Sequence, residues 1–281
     1  MYPFFVVNAF SQVAFKGNPA GVCVVDRVPS SRWMQSVAAE MGFSETAFVM
    51  PTNHHFHIRW FSPTTEVNLC GHATLAAAHV LWESEHVREE AIHFSYLGGL
   101  LRAQRFYGAI EISFPEDTPV VCHRIARLSP DQGLLGRPKE VPMEVDPVDY
   151  LGLTGVCHVL RSREDLILVL ASESAVREFV PDMSRICGLD VRALVVTAQS
   201  QSPQYDIVSR VFAPRIGISE DPVTGSSHCA LVAYWLPLLQ KPQIICFQAS
   251  SRGGVVQGRL GEGVVRIGGH AVTLQKGHWL S

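Results

Sequence analysis

Short apolar runs separated by polar turns recur along the whole chain. FFVVNAF (4–10), AGVCVVD (20–26), TAFVM (46–50), FHIRWF (56–61), LILVL (166–170) and ALVVTA (193–198) are rich in β-branched and aromatic residues. Runs of this length bounded by turn-forming residues predict strands. Two stretches of the first half follow a helical pattern instead, 31–41 and 74–84. The second is apolar on nearly all sides, as expected of a helix buried inside a curved sheet.

The pattern also repeats at long range. RWFSPTTEVNLCGHATLAAAHVLW (59–82) parallels RVFAPRIGISEDPVTGSSHCALVAYW (210–235). Each opens on Arg-x-Phe-(Ser/Ala)-Pro and each places a glutamate, Glu66 or Glu220, four residues before the one that precedes a glycine. Each then enters an alanine-rich helical stretch. Downstream, GGLLRAQ (98–104) matches GGVVQGR (253–259), and AIEISF (109–114) matches VVRIGG (264–269). Upstream, SVAAEMGFSETAFVM parallels DMSRICGLDVRALVV, which aligns Glu45 with Val191. The offset grows from near 146 to 154–155 residues along the chain. A period this long is the mark of two related halves, not of a solenoid. The expected architecture is therefore α+β, two halves with a cleft between them, where small-molecule sites concentrate. The first half spans 1–117, with the last ten or so residues as candidates to join it. The second spans 118–281, with a proline-rich connector near 115–150.

Composition narrows the class. The 281 residues are 47% hydrophobic and 17% charged with a net charge of −3, and no basic run offers an electrostatic footprint for nucleic acid. Apolar stretches such as 230–239 fall short of the roughly 18–20 residues that span a bilayer, and the first residues lack the pattern of a signal peptide. Seven cysteines, none in a C-x-x-C pair, point to reduced thiols in a cytoplasmic setting.

Candidate chemistry sits in the repeated loops. A Gly/Ser/Thr loop feeding a helix leaves backbone N–H groups unpaired at the positive end of the helix dipole, which suits a carboxylate. Gly71 and Gly225 allow close approach, Ser226 and Ser227 add hydroxyl donors, and ordinary helix capping is the alternative use of such loops. Cys70 beside a helix N-terminus is expected to have a lowered pKa, which leaves a Cys70-dependent hydrolase open. Cys70, His72 and His79 do not follow the usual structural zinc spacings. His55 and His57, which would share one strand face, fit a solvated turn leading into a strand better, so no metal is expected. Glu45 enters an apolar strand, where desolvation would disfavour its charged form and suit it to moving protons near neutrality. Asp221 is the second candidate carboxylate, able to hold a substrate ammonium or hydroxyl or to orient His72.

FKGNPAGVCVVD (15–26), GFSETAFV (42–49), CGHAT (70–74) and EDPVTGSSHCAL (220–231) together resemble the phenazine-biosynthesis-like (PhzF-like) family, nearest its eukaryotic MAWD-binding protein type. The resemblance spans essentially the whole chain. It implies the diaminopimelate epimerase fold, in which each of two pseudo-symmetric halves wraps a barrel-like sheet around a central helix. It also implies a homodimer, and an isomerase that uses no metal or organic cofactor. The PhzF enzyme isomerises trans-2,3-dihydro-3-hydroxyanthranilate with one glutamate as proton shuttle. Carried onto this sequence, that makes Glu45, His72 and Asp221 the catalytic candidates. Ser44, Gly71, Gly225 and Ser226 are then the candidates for binding a small carboxylate. Epimerases of the same fold use two facing cysteines; here Cys70 meets Thr224, which does not ionise near neutral pH, so a two-thiol racemisation is unavailable. The alternative reading is a catalytically silent binding or protein-interaction protein on the same fold, with its protein partner unidentified.

Overall fold

The computed structural model describes residues 1–128 and 143–280, so much of the connector expected near 115–150 lies outside the described residues. The first half contains β1 (Tyr2–Ala9), β2 (Asn18–Val24), α1 (Ser31–Met41), β3 (Glu45–Pro51), β4 (Phe56–Phe61) and β5 (Glu66–Val67). It continues with α2 (Gly71–Glu83), β6 (Ala91–Tyr96), β7 (Gly99–Phe106), β8 (Ala109–Pro115) and β9 (Val120–Val121). A small hairpin of β10 (Ile125–Arg127) and β11 (Met143–Val145) and a short α3 (Pro147–Leu151) lead onward. Then come β12 (Val156–Arg161), β13 (Asp165–Leu170), α4 (Glu173–Arg177), α5 (Met183–Cys187), β14 (Ala193–Gln199) and β15 (Ile207–Phe212). Last are α6 (Gly225–Leu239), β16 (Ile244–Gln248), β17 (Gly254–Gly261), β18 (Val264–Gly269) and β19 (Ala271–Trp279).

Pairing turns the sequence repeat into a two-fold. The centre of the 17-stranded sheet is the antiparallel pair β8–β18, in which Ile112 faces Ile267, its own counterpart under the 155-residue offset. Outward from that pair, one arm runs β7, β6, β4, β3, β2, β1, β19 and the other β17, β16, β15, β14, β13, β12, β9. The parallel pairs fall at the same places in both arms, β2–β3 with β13–β14 and β4–β6 with β15–β16. The final strand of each arm is exchanged: β19 follows β18 in sequence yet pairs with β1, and β9 follows β8 yet pairs with β12.

Strand alternation decides what each face covers. In β1, Phe5, Val7 and Ala9 face the cluster around α2 and α6, whereas Phe4 and Val6 pack outward with Met34, Val37 and Ala38 of α1. Helix α2 is buried along nearly its whole length, and its small residues Ala73, Ala76, Ala77 and Ala78 let the sheet close around it. On α6 the sheet itself yields: a methyl added at Gly258 of β17 would stand 2.1 Å from Val232 Cγ2. The halves differ at the helix before the site strand. α1 spans 11 residues and closes on Gly42 with a left-handed φ of 66°, while α5 has five residues and Gly188 keeps φ −75°.

Register corrects one alignment. Thr46 pairs with Phe61 and Leu194 with Phe212, the matching positions of the two Arg-x-Phe blocks. Glu45 therefore corresponds to Ala193, not Val191, and Ser44 corresponds to Arg192.

Candidate active site

The two-fold brings the helix starts together. A Cβ built on Gly71 would lie 3.7 Å from Gly225 Cα, and one built on Gly225 would lie 3.7 Å from Gly71 Cα. The N-cap residues are Cys70 and Thr224; neither makes a capping side-chain hydrogen bond, and only the Ala73 N–H faces the Cys70 sulfur. Both helix ends thus present backbone N–H groups that no side-chain cap satisfies, on one cleft. The loops leading there are braced alike. Arg59 grips Glu66 bidentately at 2.7 and 2.6 Å, and Arg210 grips Glu220 at 2.8 and 3.1 Å. The repeated glutamates are thereby structural.

The cleft holds a small cavity of about 70 Å³ that touches Glu45, Gly71, His72, Asp221, Gly225 and Ser226 together. Glu45 stands at the first position of β3, where the strand opens into the cleft, and its side chain is 15% exposed. Its Oε2 lies 3.4 Å from His72 Nε2 on the first turn of α2. Ser44 does not line the cavity; its hydroxyl sits 3.5 Å from the same His72 nitrogen and 3.5 Å from Asn18 Oδ1. From the second half, Asp221 accepts from Thr224 Oγ1 and, at 2.9 Å, from Asn18 Nδ2, which also donates to Val223 O at 2.8 Å. Gln248 fixes the same turn, accepting from Thr224 N at 2.8 Å and donating to the Asp221 carbonyl at 2.7 Å. An Asp221 carboxylate with two fixed donors keeps lone pairs free for an ammonium or hydroxyl in the cavity.

Cys70 behaves unlike the sequence expectation. Burial, and then the charge of Glu45, push its thiol well above the ordinary range, outweighing the donor from Ala73. At neutral pH it is a thiol, 3.5 Å from His72 Nδ1, and not a nucleophilic thiolate. Donor atoms of Glu45, Cys70 and His72 lie within 4.8 Å of one another, a spacing that permits a metal ion. Glu45 faces Nε2 of the imidazole, Cys70 faces Nδ1, and the thiol also bonds to Glu45. His79 lies further along α2 against Thr273, and His57 meets Ser95, so neither joins the site.

Sequence reasoning assigned no role to Asn18, Gln248 or Arg192. Arg192 donates to both oxygens of buried Asp165 at 2.8 and 2.6 Å, to Ser226 Oγ at 2.8 Å and to Ser227 Oγ at 3.2 Å. Burial pulls its pKa down, but the charge and bonds of Asp165 raise it on balance, so it stays a cation. The signal that locates Arg192 is the strand register, which sets it opposite Ser44 in the duplication. Ser227 donates to Asp165 and so braces Arg192, leaving Ser226 as the hydroxyl on the cavity.

A family model described as phenazine biosynthesis-like protein (PhzC-PhzF) matches residues 7–277. An uncharacterized isomerase of Halalkalibacterium halodurans is 41% identical, with 99% of this chain and 98% of that protein covered. Phenazine biosynthesis-like domain-containing protein 1 of mouse is 35% identical, with 98% of each covered. The crystal structure of a PhzF family protein from Enterococcus faecalis superposes with a TM-score of 0.85 at 35% identity, covering 99% of both chains. Solved structures described as a predicted epimerase, a hydroxyproline epimerase and a probable proline racemase, at 18%, 12% and 11% identity, share the fold alone. No helix among the described residues is long and apolar enough to cross a membrane.

Proposed function

The chain belongs to the phenazine biosynthesis-like (PhzC-PhzF) family, and from that premise we propose that it is an isomerase moving a proton within a small carboxylate-bearing substrate, with Glu45 as general acid/base and no organic or metal cofactor. The observation that carries the proposal is the position of Glu45. It is a carboxylate at a strand mouth, 3.4 Å from His72 and on the same cavity as two helix ends that no side chain caps.

In this reading the substrate carboxylate rests on the N–H groups near Gly71 and Gly225 and on the Ser226 hydroxyl. Glu45 takes a proton from an activated carbon, and the electron pair left behind delocalises into the unsaturated system attached to it. The proton then returns from Glu45 to a second carbon on the same face, and the double bond shifts between them. One group serves as base and then as acid, so no second ionisable partner is required. His72 faces Glu45 through Nε2 and orients it, with Ser44 beside the same nitrogen and Cys70 on Nδ1. Asp221, held by Asn18 and Thr224, accepts from a substrate ammonium or hydroxyl. The pairing of Cys70 with Thr224 across the two-fold supports a one-base reaction over a two-thiol one.

Proton NMR in D₂O with trans-2,3-dihydro-3-hydroxyanthranilate, extended to a panel of small unsaturated amino and hydroxy carboxylates, tests the reading. Turnover of any member with deuterium entering the carbon that receives the proton supports it. Turnover that needs an added metal or redox cofactor, or no turnover across the panel by folded protein, counts against it.

A further inference from the structure

Arg192 and Ile216 line the inner cavity and also an open groove of about 360 Å³ beside it, whose other walls include Arg161, Glu164, Asp190 and Arg215. The three guanidinium groups are unequally committed. Arg192 is neutralised by Asp165, with Glu164 at 3.4 Å. Arg215 uses Nη1 alone, on Asp190 Oδ1 at 3.1 Å and on the carbonyls of Leu189 and Val191 at 3.1 and 3.3 Å. Arg161 uses Nη2 alone, on the Asp190 carbonyl at 3.0 Å, and pairs with no carboxylate among the described residues. Each of these last two cations is thus anchored by one nitrogen to the same 189–191 turn. Nε and the remaining terminal nitrogen of each find no acceptor among the described residues. A planar fork of donors whose charge is not cancelled, as at Arg161, suits bidentate binding of an oxyanion. Between cavity and groove stands Ile216, 56% exposed, an apolar surface for a hydrocarbon spacer.

We propose that the groove is a second anion subsite: the substrate carries, beyond the carboxylate at the helix ends, a further carboxylate or phosphate that Arg161 and Arg215 bind past Ile216. The inference rests on the inner cavity being a carboxylate site, and it restricts the substrate class to two-headed anions.

Calorimetric titration of the full chain with pentanoate, adipate and 5-phosphonopentanoate separates the two sites. At least one two-headed probe is expected to bind tenfold or more tighter than pentanoate, equivalent to about 1.4 kcal/mol. That gain should fall below about twofold in Arg161→Gln while pentanoate affinity holds. Preference between adipate and the phosphonate identifies the second group. Two-headed probes no tighter than pentanoate, or a gain that persists in Arg161→Gln, overturn the groove and leave the inner site standing. Arg161-dependent binding of a two-headed probe with none of pentanoate sustains the groove and overturns the inner cradle. No binding by any of the three overturns both.

Discussion

Asn18 crosses from the first half to hold Asp221 and the Val223 carbonyl of the second, and it is completely buried. Replacing it by alanine removes one hydrogen bond to a charged acceptor, a class that contributes about 1.5–3 kcal/mol, and strands a buried carbonyl at roughly 1–3 kcal/mol more. Thr224 still donates to Asp221, so the lower part of those ranges applies and Asn18→Ala should lose about 2–4 kcal/mol of stability. Equilibrium urea denaturation of wild type, Asn18→Ala, Asp221→Ala and the double variant measures this. The two residues share a bond, so the cycle should return a coupling of about 1–3 kcal/mol. A loss below about 1 kcal/mol, or single effects that add within about 0.5 kcal/mol, would refute the claim that Asn18 acts by fixing Asp221.

Other consequences follow from the same contacts. Cys70→Ser should retain most of the activity, and native Cys70 should resist alkylation by iodoacetamide at pH 8, since burial and then Glu45 hold the thiol protonated; rapid labelling would contradict this. His228 is wholly buried, and desolvation lowers its pKa to about 4. The unfolded chain therefore takes up its proton first, so the stability this residue supports is present above pH ~6.5 and fades as pH falls toward 4, by about 3 kcal/mol. The difference in stability between wild type and His228→Asn across that window should show the slope; a pH-independent difference would exclude it. Gly258→Ala should destabilise by about 1–3 kcal/mol through the clash with Val232, and adding Val232→Ala should recover most of that loss.

The repeat, the two buried alanine-rich helices and the strands that flank them were legible because they rest on local pattern. FHIRWF forms β4 over Phe56–Phe61 and the helix expected at 31–41 spans Ser31–Met41. The last ten or so residues were candidates to join the first half, and β19 pairs with β1 there. The return of β9 to β12 was not legible, since it joins residues 39–41 positions apart through a run as short as Val120–Val121. Gly71, Gly225 and Ser226 of the repeated loops line one cavity with Glu45, His72 and Asp221. Asn18 and Arg192 stayed hidden for different reasons. Asn18 acts across the two halves, and Arg192 was masked by a helix that is shorter in the second half than in the first. The lowered pKa expected for Cys70 neglected the low-polarity packing around it and the neighbouring carboxylate, both of which outweigh the helix end.

The central claim is that a single carboxylate, Glu45, carries the proton. Its most direct test is deuterium incorporation from D₂O into a turned-over substrate by wild type and Glu45→Gln, with the affinity for that substrate measured alongside. General acid/base groups contribute roughly 10²–10⁴-fold, so the variant should lose at least about a hundredfold in incorporation while binding within a few-fold of wild type. Incorporation within about tenfold of wild type would show that another group moves the proton.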